Sequence, residues 1–207
     1  DIWFTELGKA TGKELEVERL IKAEKNKIAD PLEKLRRKLE GKRVYVTAGA
    51  AHGHSLIALL KDLHMDVVGA AIFHHDPCYD NRDPRSDSLG HVVKSYGDIK
   101  NFDICNKQPF ELVNILNKLK PDLLVARHGG MSSWGPKLGI PTFLMGDEQF
   151  GLGYEGLINY GNKIVDVLAT REFVKNIASH CELPYTDWWL KQDPYSFLGG
   201  EHNDQDS

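Results

Sequence analysis

A doubly wound α/β sheet of four or five parallel strands is the fold this sequence predicts, on three observations. Short β-rich apolar runs alternate with stretches of helical period through the middle of the chain, loops rich in glycine, aspartate and histidine separate them, and charged helical stretches stand at both ends. From Lys13 to Leu39, the residues Leu15, Leu20, Ile21, Ile28, Leu32, Leu35 and Leu39 recur at helical intervals among charges. Pro31 interrupts them, which predicts two helices meeting near Asp30, with Asp30 as cap, Pro31 in the first turn and Gly41 ending the second helix. "KRVYVTAG" then reads as a strand, followed by a Gly/Ala/His loop, the helix "SLIALLKDL" and the strand "MDVVGAAIF". Strand, helix and strand in so short a span form a βαβ unit, whose sheet is parallel.

The alternation continues. "DSLGHVVKSYG" is helical, "IKNFDIC" a third strand, "PFELVNILNKLK" a helix, "PDLLVAR" a fourth strand, "MSSWGPKLG" a short helix and "IPTFLM" the last strand. "GYEGLINYGNKIVDVLATREFVKNIASH" reads as long helix broken near Thr170, and "LPYTDWWLKQDPYSFLGG" as an aromatic tail whose Trp188 and Trp189 either cap the core or fill an interface. The expected division is a helical lead-in over 1–41, a Rossmann-like α/β domain over 42–170, C-terminal helices and aromatic tail over 171–200, and a disordered tail over 201–207.

Composition narrows the function. With 207 residues, 41% hydrophobic and 27% charged, the chain is long enough for one substantial core. A net charge of -4 gives no electrostatic case for nucleic acid. No run approaches a membrane span and the N-terminus is too polar for a signal peptide, so neither membrane nor nucleic acid is expected as a partner, and the expected setting is cytoplasmic. Cys78, Cys105 and Cys181 form no CxxC pair, so an iron-sulfur cluster ligated wholly from this chain is not expected. The chain opens on Asp1 and reads as cut from something longer.

In open parallel sheets, ligands bind outside the carboxyl ends of the strands, where loops converge and helix N-termini point inward. That rule selects "AGAAHGHS", "HHDPCYDN", "RHGGMSS" and "GDEQFGLGYEG". If the sheet is as predicted, His52, His54, His74, His75, His91 and His128 share one rim. Each loop also has a plainer reading. The first lacks the third glycine of a dinucleotide fingerprint and no acidic residue ends the second strand, so Gly49, His52 and His54 are candidates for cofactor binding or for helix capping. Adjacent residues in extended chain point opposite ways, so His74 and His75 cannot easily share one ion; one faces the crevice and one the body. His128 and Gly129 permit close approach of a ligand, while Arg127 beside them suits an ion pair equally well. Asp147 and Glu148 could bind metal or share a proton, although capping of the next helix is the commoner use. Imidazole, carboxylate and thiolate in "HHDPCYDN" would suit zinc, iron or nickel, and the residue pattern alone does not choose among them or over a substrate contact.

The run "GKRVYVTAGAAHGHSLIALLKDLHMDVVGAAIFHHDPCYDN" resembles the C-terminal domain of nitrogenase component 1 subunits and their cofactor-assembly relatives. "KPDLLVARHGG", "KLGIPTFLM" and "GLGYEGLINYG" look like later segments of the same family, and the opening stretch like its helical linker. The resemblance runs from about Trp3 to Leu168. It implies the last of three similar domains in an oxidoreductase subunit. Such a subunit holds an iron-sulfur cluster or metallocofactor at the domain interfaces, pairs with a homologous subunit and takes electrons from an ATP-dependent iron-sulfur reductase. It implies as well that this portion alone is inactive.

His75 falls on the histidine of the family loop and Gly49 on a cofactor-facing glycine. Where molybdenum nitrogenase carries an arginine, this chain has Ala51, and "LMGDEQFG" lacks the family's cofactor-ligating histidine. Those departures argue against a dinitrogen reductase. The expectation is a nitrogenase-like domain in which His75 and His74 position substrate or donate protons and in which Asp147 and Glu148 provide different ligation. The alternatives are a non-redox cofactor-assembly scaffold and a stand-alone small-ligand module of periplasmic-binding-protein type.

Overall fold

The apolar runs become five strands, β1 (Arg43–Ala48), β2 (Asp66–Ile72), β3 (Phe102–Ile104), β4 (Leu123–Ala126) and β5 (Thr142–Leu144). All pair in parallel in the order β3-β2-β1-β4-β5. The computed structural model describes residues 1–74, 87–104, 109–146 and 153–194. The helices are α1 (Ile2–Thr11), α2 (Glu14–Leu39), α3 (Ala50–Asp62), α4 (Ser88–Tyr96), α5 (Pro109–Leu119), α6 (Gly129–Ser132), α7 (Trp134–Lys137), α8 (Gly153–Ala169), α9 (Arg171–Ser179) and α10 (Asp187–Lys191). The expected disordered tail, 201–207, lies outside the described residues.

Period-two alternation builds the two cores. Val44, Val46, Leu123 and Val125 face α2, α3, α4 and α8 in one buried cluster, while Tyr45, Leu124 and Ala126 face α5 and α6 in the other. A central strand buried on both faces needs apolar residues at every position, which is why these strands read as continuous runs.

Between Val44 and Tyr45 the pairing with β2 shifts: Val44 opposes Val67, and Tyr45 opposes Gly69. A Cβ at Gly69 would lie 2.6 Å from Tyr45 Cε2, so the buried ring takes the space a side chain would use. Gly69→Ala is expected to lower stability by about 1–3 kcal/mol through overpacking. A urea unfolding midpoint equal to that of the parent would contradict this packing.

The expected break at Asp30 is corrected. α2 is a single helix of 26 residues with Pro31 inside it. An interior proline removes one helical hydrogen bond. Ile28 before it and Leu35 and Leu39 after it are buried against the sheet-facing core, and tertiary packing of that stripe outweighs the local penalty. Gly41 does follow the helix in a left-handed conformation, at φ 68°. "MSSWGPKLG" is likewise corrected to two short turns, with α6 beginning at Gly129 and α7 at Trp134.

At the other end, Thr170 separates α8 from α9, as the sequence suggests. The tryptophan pair divides. Trp189 packs against Phe110 of α5 with ring centroids 5.5 Å apart, whereas Trp188 is 62% exposed. Asn114, fully buried on α5, donates from Nδ2 to the carbonyls of Trp189 at 2.8 Å and Gln192 at 3.0 Å, fastening α10 to the domain.

Candidate functional site

From β1 the chain crosses to β2 on one side, while β4 lies on the other, so the strand order reverses between β1 and β4. A crevice forms where the loops after those two strands part, at the carboxyl edge of the sheet. Gly49 alone turns β1 into α3. The Gly/Ala/His loop expected from sequence is therefore corrected: Ala50 to Ser55 are helical, and His52 and His54 lie in the opening turns of α3.

At this edge His74 lies against Gly49, and His128 and Gly129 follow β4 into α6. A Cβ on Gly49 would come within 3.2 Å of His74 Cε1, so the glycine lets the imidazole after β2 lie against the β1 turn. Phe73, buried beside it, packs on the His128 ring at a centroid distance of 5.1 Å and an interplanar angle of 40°. His74, His128, Gly129 and Gly130 are exposed, and a Cβ on either glycine would meet open space. Arg127 braces the mouth, donating from Nη1 to the Met145 carbonyl at 2.9 Å, which joins the ends of β4 and β5.

His52 is exposed on the first turn of α3. His54 is 3% exposed, its Nδ1 2.7 Å from the Ser88 hydroxyl and its ring stacked on Phe102 at 6.3 Å. The expectation that all six histidines share one rim is thus corrected at His54, which is packed between α3, β3 and α4. His91 stands in the first turn of α4 and lines a groove flanked by α2 and α3. His75, Asp147 and Glu148 lie outside the described residues, as do Cys78 and Cys105.

Sequence reasoning missed Phe73, which supports His128; the last residue of an apolar run was the available signal. It singled out Arg127 for a ligand or an ion pair but not for the Met145 carbonyl it braces. It also missed the apolar margin: Ile104 and Leu144, closing β3 and β5, are 48% and 42% exposed.

One group on β3 and one at the far end of α4 have shifted ionisation. Burial pushes the half-buried Asp103 carboxyl above its ordinary value of 3.8, opposed by a backbone hydrogen bond from Ile104. The folded state therefore holds its proton to higher pH than the unfolded chain. The associated stability is fully present below 3.8 and is lost as pH rises through the folded value. Asp103→Asn is expected to raise the thermal midpoint at pH 7 and to lose that advantage near pH 3; an Asn variant less stable at pH 7 would contradict the sign. Tyr96 is pushed up to about 12, chiefly by burial and then by its hydroxyl donating to Asp62 Oδ1 at 2.9 Å, a bond that ties α4 to α3.

Among the described residues, no three His, Cys, Asp or Glu side chains converge to hold a metal ion. Cys181, the cysteine among them, lies just beyond α9. The donor chemistry on view, two imidazoles and glycine backbone, does not amount to a complete ligand set for a cluster. It can make one wall of a site. Among the described residues no helix is long and apolar enough to cross a membrane.

Fold and crevice together define an open, doubly wound α/β domain with exposed histidines at its switch point. The chain belongs to the nitrogenase component 1 type oxidoreductase family, whose model matches residues 1–169. It is 27% identical over 164 residues to the nitrogenase molybdenum-iron protein alpha chain of Methanococcus maripaludis, covering 76% of this chain and 31% of that protein. To the protein of the same name from Methanothermobacter thermautotrophicus it is 30% identical over 147 residues, covering 69% of this chain and 29% of the other. The solved structure "Nitrogenase Cp1 at pH 5" shares the fold with a TM-score of 0.64 at 18% identity, over 88% of this chain and 41% of that one. The chain thus spans about a third of the length of the curated relatives it matches.

Proposed function

We propose that this chain is one domain of a nitrogenase component 1-like oxidoreductase subunit, and that its carboxyl-edge loops close one side of an interdomain metallocofactor or substrate site. The observation that supports the reading is a pair of contacts at the carboxyl edge, His74 against the Gly49 turn and Phe73 on the His128 ring, beside the β1/β4 switch point, the part of an open α/β sheet that takes ligands. Exposed Ile104 and Leu144 at the same edge suit coverage by another protein layer.

A metallocofactor there would supply the electron-transfer chemistry, with the Gly49 turn, His74 and His128 as this chain's wall of its site. This chain's residues wall the site, exclude water through Phe73 and its neighbours, and present imidazoles, the side chains that exchange protons near neutral pH. Partnership with a homologous subunit and with an ATP-dependent iron-sulfur reductase belongs to the same proposal. The missing histidine in "LMGDEQFG" directs it toward a substrate other than dinitrogen.

The test is anaerobic purification of the full-length native gene product with iron and sulfide analysis. Iron and acid-labile sulfide are expected. A full-length product that remains metal-free after anaerobic reconstitution would overturn the proposal.

A further inference from the structure

On the flank of the domain, α2 and α3 stand apart over a groove of about 1050 Å³. Lys25, Ile28, Ala29, Leu32 and Arg36 line one wall at helical intervals, and Ser55, Ala58, Leu59 and Asp62 line the other. Alanine and serine at the facing positions are what leave the space open. The cations along it are engaged: Arg36 Nε donates to the Asp62 carbonyl at 2.8 Å, and Lys25 is paired with Asp1. Between these polar groups Ile28, Ala29, Leu32, Ala58, Leu59 and Leu157 leave apolar surface.

Its upper end opens at the same sheet edge as the histidine crevice. His91 of α4 and Tyr154 of α8 line it, and both helices begin at that edge. α2 has 26 residues, about 39 Å at helical rise. β1 has six residues, about 20 Å. All buried residues of α2, Ile28, Leu35 and Leu39, lie in its carboxyl half, so its amino half and α1 stand clear of the sheet. On α1, Ile2 is 65%, Trp3 68% and Leu7 42% exposed, and Ile2 and Trp3 also line the groove. A contiguous exposed apolar surface of this kind marks an interface.

We propose that this groove seats an amphipathic helix from another domain of the same, longer polypeptide, with the Ile2–Trp3–Leu7 stripe packing on that domain's surface. Two observations select this occupant. The chain spans 31% and 29% of the two curated relatives, so most of a family-length polypeptide lies outside it. One end of the groove also lies at the carboxyl edge of the sheet, and to that extent the inference rests on the interdomain reading above. Ile28 and Leu32 on one wall and Ala58 and Leu59 on the other offer apolar contact between polar ends, which suits a third helix by its apolar face.

The test is thiol labelling of the full-length native protein, read peptide by peptide by mass spectrometry. Ala29→Cys probes the groove, and Lys34→Cys, exposed and outside the groove lining, is the reference on the same helix. The groove cysteine is expected to react with a bulky maleimide about tenfold or more slowly than the reference, with the difference abolished in urea. Equal native rates would overturn the proposal. Protection that vanishes on dilution would assign the groove to a second copy, overturning the choice of occupant, and so would a native gene product no longer than these 207 residues. Labelling reads neither metal nor turnover, so a protected Ala29→Cys in an iron-free protein would leave the docking intact while the cofactor reading failed.

Discussion

In the full-length protein, His128→Ala and His74→Ala are each expected to lower reductive turnover about a hundredfold while leaving iron content unchanged. The two imidazoles are exposed at the switch-point crevice, one carried on buried Phe73 and the other lying against the Gly49 turn. Neither belongs to a convergent metal-binding group among the described residues, and on the proposed function each serves as a proton donor or a substrate contact. His180→Ala, at an exposed position just after α9, is the control and should retain full turnover. Loss of iron in either crevice variant would assign that histidine to ligation. Unchanged turnover in both would remove the crevice from the chemistry.

The largest expected effect on stability is at Leu60. Its side chain is fully buried in the cluster that joins α3 to β1 and β2, where truncation leaves a cavity the surrounding helices cannot close. Leu60→Ala should cost about 2–5 kcal/mol, seen as a lower urea midpoint at unchanged slope. A loss below about 1 kcal/mol would mean that α3 packs more loosely than the structure shows. Because α3 starts at Gly49, loosening it should also disturb the contact between that turn and His74.

The strands were legible because central parallel strands are apolar on both faces: Arg43–Ala48 and Asp66–Ile72 announce themselves as runs bounded by loop residues. The family was legible for a different reason, the order of several motifs rather than any one of them. Pro31 misled because local backbone preference is visible in a sequence, whereas burial of Ile28, Leu35 and Leu39 against a distant sheet is not. His52 and His54 read as loop because glycine and histidine around Gly49 mimic a long turn, yet one glycine suffices, since a helix can start directly from it. That displacement of one turn decides the fate of His54, which ends against Ser88 and Phe102 instead of in the crevice. The flank groove had no sequence signal at all, its lining being drawn from α1, α2, α3, α4 and α8 at once. Likewise the partnership of Phe73 with His128 joins the ends of β2 and β4, which are not neighbours in the sheet.

The central claim is that the carboxyl edge of this sheet faces the cofactor. The most direct measurement is an anomalous-difference map, collected at the iron edge, from crystals of the anaerobically purified full-length protein. The account predicts iron peaks opposite the crevice between the β1 and β4 loops, with Gly49, His74 and His128 on the wall nearest them. Iron located elsewhere, with that crevice open to solvent, would contradict it.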